Sequence, residues 1–303
     1  MTKPPQDLAA SIHRRLLNGA RERGEDFQLT LLRYGAERLL FRLSQSPHAE
    51  QFILKGALLL LLWEDQLYRP TRDVDLEGFG ETDPNHLETI FRSVCEQSCS
   101  EDALRFDAAS VTAQEIRTTH EYGGVRVTFA AYLGKARIPM QVDVGYGDAI
   151  TPNPTTQNFP TLLDHPAPRM RMYPLETVVA EKFEAMTRLG RGNSRMKDFR
   201  DLLTFARRCE FDGPLLAKAV RATFTKRDAN LADLDEVLDA DFYQDDTLTQ
   251  RWRAYLRSQP STGDSPPSFA DVGNELVPFL MPIAAALRGA PLSSKWSGLD
   301  GWG

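Results

Sequence analysis

Cysteine is scarce in this sequence. The three cysteines, Cys95, Cys99 and Cys209, are too few for a disulfide framework. Cys95 and Cys99 are four residues apart, but neither a further cysteine nor a histidine lies close enough in sequence to complete a zinc site. This usage is typical of a protein from a reducing compartment.

Long apolar runs are also missing. The longest purely apolar run, Ala57–Trp63, is far shorter than the roughly 20 residues that a membrane-spanning helix needs. The first residues, MTKPPQDLAASIHRRLL, lack the apolar centre of a signal peptide. We therefore expect a cytoplasmic protein that has no membrane partner.

An excess of positive charge is the third feature that the sequence lacks. The net charge of −6 argues against a protein that coats nucleic acid by bulk electrostatics, although Lys and Arg can still cluster locally. A hydrophobic content of 42% and a charged content of 26% are ordinary for a globular protein. A chain of 303 residues suggests two domains, on a prior of about 150 residues each.

Two carboxylates with one apolar residue between them stand out in what the sequence does contain. Phe52–Leu54 is predicted to be a short buried strand, and Gly56 permits a sharp exit into a leucine-rich helix. The segment Asp73-Val74-Asp75 follows as the neighbouring strand, in which alternate side chains share a face. Two carboxylates on one face repel each other unless a cation lies between them. We therefore predict that Asp73 and Asp75 hold a Mg²⁺ ion, which in turn binds a substrate phosphate.

Other residues near these acids could contact a phosphate. A glycine at a strand-to-helix turn lets the backbone approach an anion, and Lys55 would stand at the same corner as Gly56. Thr71 and Arg72 come directly before the first aspartate. These four residues are our candidates for nucleotide binding in the first half of the chain.

A third acid is predicted on a later strand. Three segments have strand character: Leu104–Val111, Val125–Leu133 and Ile138–Val144. The last two alternate well and are joined by a hairpin-like connection. On the last strand Asp143 lies on the polar face, where it could complete a metal site with the two earlier aspartates.

The second half of the chain reads as helical. Residues 148–171 contain five of the 19 prolines and are predicted to be a connecting loop. From Pro174 onward only helical patterns appear, and the residues that could carry chemistry are Lys182, Arg195, Lys197 and Asp198. We predict an α/β domain over 1–150 with N-terminal helices, a helical domain over 172–290, and a flexible tail over 291–303.

Taken together, these motifs resemble the AbiEii family of nucleotidyltransferase toxins, which is related to the MenT toxins of mycobacteria. The resemblance covers about residues 50 to 205 and rests on four pieces in order: Lys55-Gly56-Ala57; Thr71-Arg72-Asp73-Val74-Asp75; the strand acid Asp143; and Glu176…Glu181-Lys182 followed by Arg195-x-Lys197-Asp198-x-x-Asp201.

The resemblance implies an α+β fold, with a polymerase-β-like nucleotidyltransferase core, a mixed sheet with flanking helices, and a C-terminal helical domain. It implies that Asp73 and Asp75 hold Mg²⁺, that Thr71 lies near the nucleotide, and that Lys182 contacts the triphosphate of the NTP substrate. Asp198 matches an acid of the last motif. Arg195 and Lys197 are expected to bind either the triphosphate or the acceptor.

The function that we expect is transfer of NMP from an NTP to the 3′ end of tRNA by the toxin of a toxin–antitoxin or phage-defence system, with a cognate antitoxin as a further partner. Two alternatives stay open at the level of sequence. The acceptor could be a protein side chain or a small molecule, or the chain could be a catalytically silent nucleotide-binding module.

Overall fold

The computed structural model describes residues 5–63, 71–116, 123–259 and 266–303. The chain forms two compact units. Unit 1 contains Met1–Gly147 and Thr155–Tyr173, and unit 2 contains Asp148–Pro154 and Pro174–Gly303.

Unit 1 combines four helices with seven strands among its described residues. The helices are α1 Pro5–Arg23, α2 Phe27–Ser44, α3 Leu60–Trp63 and α4 Pro84–Glu96. The strands are β1 Phe52–Lys55, β2 Val74–Gly78, β3 Leu104–Ile116, β4 Gly124–Leu133, β5 Ala136–Tyr146, β6 Thr155–Asn158 and β7 Arg169–Met172.

The seven strands form one mixed sheet in the order β3-β4-β5-β2-β1-β7-β6. β2 runs parallel to β5 and antiparallel to β1, and β1 runs parallel to β7. β3, β4 and β5 form an antiparallel meander, and the two-residue turn Gly134–Lys135 joins β4 to β5. This arrangement puts β2, which carries the predicted metal-binding motif, in the middle of the sheet.

The core of unit 1 lies against one face of this sheet. Val74, Leu76, Val142 and Val144 are fully buried there, because they alternate with the polar residues of β2 and β5. α2 packs closely on β5: a Cβ added at Gly35 would lie 2.7 Å from the sulfur of Met140. The other face of the central strands is left for charged side chains.

The leucine-rich segment after β1 is helical within the described residues, as predicted. It begins as a 3₁₀ turn, Gly56–Leu59, and continues as the four-residue helix α3. Leu58, Leu59 and Leu60 are buried, which explains the leucine run as core packing. The rest of the predicted leucine helix, and the predicted turn at Pro70, fall within 64–70 and so lie outside the described residues.

The segment predicted to be a connecting loop contains two strands, so that prediction is wrong. β7 extends the sheet by pairing with β1, where Leu54 is opposite Met172, and β6 pairs with β7. The prolines of this region all lie outside the two strands. β6 is an edge strand whose four residues are exposed, so it has none of the apolar alternation by which strands are recognised.

Unit 2 is mainly helical. Its helices are α5 Leu175–Leu189, α6 Met196–Arg208, α7 Gly213–Lys226, α8 Leu234–Val237, α9 Asp246–Arg257 and α10 Phe269–Leu287, and its strands are β8 Phe211–Asp212, β9 Lys295–Ser297 and β10 Gly301–Trp302. An aromatic cluster that includes Phe199, Phe242, Tyr243 and Phe269 fills its centre.

The C-terminal segment differs from the flexible tail expected over 291–303. β8, β9 and β10 form a small sheet, which also corrects the expectation that only helices follow Pro174. Trp296 is buried, and its indole N–H donates to the carbonyl oxygen of Ala206. An aromatic side chain with a satisfied polar group explains why this glycine- and serine-rich segment packs on unit 2.

In the part of the chain that the structure describes, one helix, α10, is long and apolar enough to cross a membrane by length and composition. Half of its apolar window is buried in the structure, and Leu276, Phe279 and Leu280 are fully buried. α10 therefore packs as the core helix of unit 2.

Candidate active site

A row of four charged residues crosses the central strands of unit 1. Lys55 of β1 is in register with Asp75 of β2, Asp75 with Asp143 of β5, and Asp143 with Arg126 of β4. Residues opposite one another in a sheet share a face, so the two carboxylates stand side by side between two cations. The adjacency of Asp75 and Asp143, which the sequence suggested, is a feature of the structure.

Arg126 holds Asp143 in a two-point ion pair. Its Nε and Nη2 atoms each lie 2.8 Å from a carboxylate oxygen of Asp143, and the side-chain amide of Gln141 donates to both oxygens at 3.3 and 3.4 Å. The hydrogen bonds that Arg126 donates to Asp143, followed by the negative charges of Asp143, Asp73 and Asp75, raise the pKa of Arg126 above its usual value. All three predicted metal ligands therefore act on this one guanidinium.

Lys55 belongs to a second ion pair on the same face. Its ammonium lies 2.7 Å from a carboxylate oxygen of Glu77, which is only 1% exposed. A buried charge is stable only when it is paired, so Glu77 fixes the position of Lys55. Gly145 leaves room for this pair, because a Cβ there would lie 2.7 Å from the Lys55 nitrogen.

Gly56 makes direct room for Asp75. Its φ of +73° lies in the left-handed region that favours glycine, and a Cβ at this position would lie 2.0 Å from the Oδ2 atom of Asp75. Because Gly56 directly follows β1, the Asp75 carboxylate leans toward that strand, whereas Asp143 is bound by Arg126 on the opposite side. The two in-register carboxylates therefore have different immediate neighbours, Gly56 for Asp75 and Arg126 for Asp143.

Asp73 and Arg72 line a cavity of about 750 Å³ in unit 1. Leu29 and Leu32 of α2 and Met140 of β5 provide apolar walls, and polar groups also border the space: Gln28, Ser110, Thr128, Arg137 and Gln141. Thr71, the predicted hydroxyl residue, lies just outside β2, with its hydroxyl 3.5 Å from the carbonyl oxygen of Asp73. The cavity thus opens beside the first aspartate of the motif.

The donor set suits a hard divalent cation, which prefers carboxylate oxygens. Within the described residues, however, no group of three or more His, Cys, Asp and Glu side chains is arranged to hold a metal ion. Both oxygens of Asp143 are already bound by Arg126. The metal-binding role of Asp73, Asp75 and Asp143 therefore stays a prediction.

The residues predicted in the second half of the chain form their own cluster in unit 2. Lys182 of α5 lies 2.9 Å from Asp198 and 2.6 Å from Asp201, both on α6, and Arg195 lies 2.6 Å from Asp198. Burial alone would raise the pKa of Asp198, but the charges and hydrogen bonds of Lys182 and Arg195 hold it below its usual value. The structure thus brings Lys182, Arg195 and Asp198 together and leaves Lys197 exposed.

A neighbouring cluster on α5 was missed by sequence reasoning. The buried carboxylate of Glu184 binds Arg188 of the same helix at 2.9 Å and Arg227 at 2.8 Å. Arg227 also binds Asp148 and Glu181, at 2.9 and 3.3 Å. Arg227 lies just beyond α7, so no local pattern in the sequence indicated this network.

Sequence reasoning also missed Arg126 and Glu77, although signals for both were present. Glu77 is two residues beyond Asp75 and shares its face of β2. Arg126 follows from the hairpin: counting outward from the Gly134–Lys135 turn places it opposite Asp143.

The contact between Gly56 and Asp75 predicts a large effect of Gly56→Ala. The added methyl group must displace the carboxylate of Asp75, and the alanine must keep the positive φ of Gly56. We expect a clear loss of thermal stability, of about 2–4 kcal/mol when both costs are combined.

Gly24→Ala is the matched control, because Gly24 has a φ of +65° and nothing within 4 Å of its added Cβ. This variant should show only the cost of the backbone conformation, about 1 kcal/mol. Thermal unfolding followed by circular dichroism compares the two, and equal losses would contradict the proposed close approach.

The Lys182 cluster predicts a pH-dependent effect of Lys182→Met. Removing the ammonium leaves two buried carboxylates without this cation, so unfolding should become easier by about 3–5 kcal/mol at neutral pH. The depressed pKa of Asp198 stabilises the wild type above the unfolded value of about 3.9, and this contribution is lost as the pH falls through the folded value. The gap between variant and wild type should therefore narrow in acid.

Urea unfolding at neutral and acidic pH measures this gap. Lys218→Met removes an exposed lysine from α7 and should change the free energy of unfolding by less than about 0.5 kcal/mol. A loss of unfolding free energy in Lys182→Met that is as small as in this control, or that does not shrink in acid, would contradict the stabilising role of the ion pairs of Lys182 with Asp198 and Asp201.

Comparisons with known proteins add to this geometry. Two solved structures from Helicobacter pylori resemble the chain. One is a candidate nucleotidyltransferase with 16% identity and a TM-score of 0.46, and the match covers 83% of this chain and 92% of that one. The other is JHP933 with 16% identity and a TM-score of 0.45, and the match covers 83% of this chain and 89% of that one. No curated protein matches in sequence. The family model described as nucleotidyl transferase AbiEii toxin, type IV toxin–antitoxin system, matches residues 38–275, so the chain belongs to the AbiEii family of nucleotidyltransferase toxins.

Proposed function

We propose that this nucleotidyltransferase transfers NMP from an NTP to the 3′ end of tRNA in a Mg²⁺-dependent reaction. The observation that carries the proposal is the row Lys55–Asp75–Asp143–Arg126, in which two carboxylates lie side by side on the polar face of the central strands. Membership of the AbiEii family implies the NTP substrate and a cognate antitoxin. The tRNA acceptor is proposed from the resemblance of the motifs.

In the proposed reaction, a hydroxyl oxygen of the acceptor attacks the α-phosphorus of the NTP. A new phosphorus–oxygen bond forms, the bond from the α-phosphorus to the bridging oxygen breaks, and pyrophosphate leaves with the bonding electrons. The acceptor hydroxyl must lose its proton, and Asp143 is our candidate to take it. Negative charge grows on the pyrophosphate, so cations close to it lower the barrier.

Asp73 and Asp75 are the proposed ligands of Mg²⁺, which when bound would neutralise phosphate charge and orient the reacting groups. Lys55 is held in place by Glu77, and its ammonium is our candidate to bind a phosphate oxygen. Gly56, which has no side chain, lets the Asp75 carboxylate lie against the backbone at the end of β1. Thr71 and Arg72 would contribute a hydroxyl and a positive charge next to Asp73.

The cavity beside Asp73 supports binding of a nucleoside. Its volume of about 750 Å³ falls within the range of about 300–1,000 Å³ that is usual for small-molecule sites. Apolar side chains from α2 and β5 can contact a base, while Gln28, Thr128 and Gln141 offer hydrogen bonds to its edge.

Roles in unit 2 are proposed on the family pattern. Lys182 and Asp198 would act in catalysis, and Arg195 and Lys197 in binding the triphosphate or the acceptor. The contacts of Lys182 with Asp198 and Asp201 also support a positioning role, in which the lysine fixes α5 against α6.

The test is incubation of the purified protein with each α-labelled NTP and total RNA, followed by sequencing of tRNA 3′ ends. We expect label in tRNA with at least one NTP. Asp75→Asn should reduce the transfer by about 100-fold or more, because it removes a charge at the reacting phosphate.

Asp164→Asn makes the same chemical change at a carboxylate that is 98% exposed, and it should keep full activity. Label that appears in protein instead of RNA would replace the proposed acceptor. No transfer with any NTP, or equal activity in Asp75→Asn and wild type, would refute the proposed site.

A further inference from the structure

We propose that Arg126 and the divalent cation compete for Asp143, so that the guanidinium holds this carboxylate until a metal ion takes it. This inference rests on the proposed function, because it concerns the metal ion of that reaction. It assigns to Arg126 a positioning role that neither the motif nor the family match gives.

The geometry of the ion pair shows what the arginine does. Both carboxylate oxygens of Asp143 are bound by Arg126 at 2.8 Å, which is the strong two-point arrangement of a guanidinium and a carboxylate. Because each oxygen of Asp143 accepts one of these hydrogen bonds, the carboxylate has less capacity left to bind a metal ion.

The charges of the row show why a cation is needed at this place. Like charges directly opposite on neighbouring strands destabilise a sheet. Lys55, at one end of the row, is bound to Glu77, whereas Arg126, at the other end, is bound to Asp143 of the row itself. Arg126 therefore neutralises the acid pair in the way that a bound metal ion would.

Exposure makes an exchange feasible. The side chain of Arg126 is 35% exposed and that of Asp143 is 18% exposed, so the guanidinium can move into solvent without leaving a buried charge. Gln141 can stay close to Asp143 and guide it, since its amide already donates to both oxygens. Once released, both oxygens of Asp143 are available to a metal ion beside Asp75, its neighbour in register on β2.

The exchange has a consequence for affinity. A metal ion must displace Arg126 before it gains Asp143 as a ligand, so the arginine weakens metal binding in the wild type. Removing the competitor should tighten binding by about tenfold, as expected for the loss of one charge-assisted hydrogen-bonded pair. The released guanidinium would then be available to a substrate phosphate.

The experiment is a titration of the full chain with Mn²⁺ alone, followed by the electron paramagnetic resonance signal of the free ion. The variants are Arg126→Gln, Arg126→Lys, Asp143→Asn, Asp75→Asn and the double variant Arg126→Gln with Asp143→Asn. Arg105→Gln is the matched control, because Arg105 is an exposed arginine that stacks on Tyr132 in the same meander. Arg126→Lys keeps the charge and the fold while it removes the two-point geometry.

We expect tighter Mn²⁺ binding in Arg126→Gln, a smaller gain in Arg126→Lys, and no change in Arg105→Gln. The gain should disappear when Asp143→Asn is also present. An unchanged affinity in both Arg126 variants, or a gain that persists without Asp143, would overturn the inference and leave the proposed function standing. Mn²⁺ binding that does not depend on Asp75 would instead remove the metal site of the proposed function, and the inference with it.

Discussion

Repulsion between two carboxylates placed side by side is the constraint on which the candidate site depends. Asp75 and Asp143 are brought into register by the parallel pairing of β2 and β5, and such a pair is unfavourable unless positive charge compensates it. The chain supplies Lys55 on one side and Arg126 on the other. In the proposed function, a metal ion bound together with the nucleotide would supply further positive charge to this acid pair.

The strand pairing and the small residues of unit 1 together place these four charged side chains on one face of the sheet. A mixed sheet is required, because the parallel pair brings the acids together while the antiparallel neighbours supply the cations. Small residues keep the face open: Gly56 allows the approach of Asp75, and Gly145 allows the pair of Lys55 and Glu77. The opposite face, with its valines and leucines, packs on α2 and holds the strands in register.

Much of this could be predicted from sequence. The Asp73–Asp75 motif is read from strand alternation, and the order of the motifs resembles the AbiEii family, which implies the α+β class with a polymerase-β-like nucleotidyltransferase core. The class and the family are confirmed. β6 could not be predicted, because its four residues are exposed and lack apolar alternation. β7 alternates arginines with buried methionines over only four residues, which is too short a pattern to stand out in a proline-rich region. Arg126 was overlooked, because a single arginine on a strand is not part of a sequence motif, although the register of the hairpin places it opposite Asp143. Long-range pairs such as Arg227 with Glu184 depend on tertiary packing alone.

The central claim is that Asp73, Asp75 and Asp143 form the metal and nucleotide site. Anomalous diffraction from crystals grown with Mn²⁺ and a non-hydrolysable NTP tests it most directly. The account predicts a peak at about 2.0–2.2 Å from oxygens of Asp73 and Asp75, with Arg126 detached from Asp143. A nucleotide bound elsewhere, or the absence of a metal peak at these aspartates, would contradict the central claim, whereas a peak at the aspartates with Arg126 still bound to Asp143 would contradict only the proposed exchange.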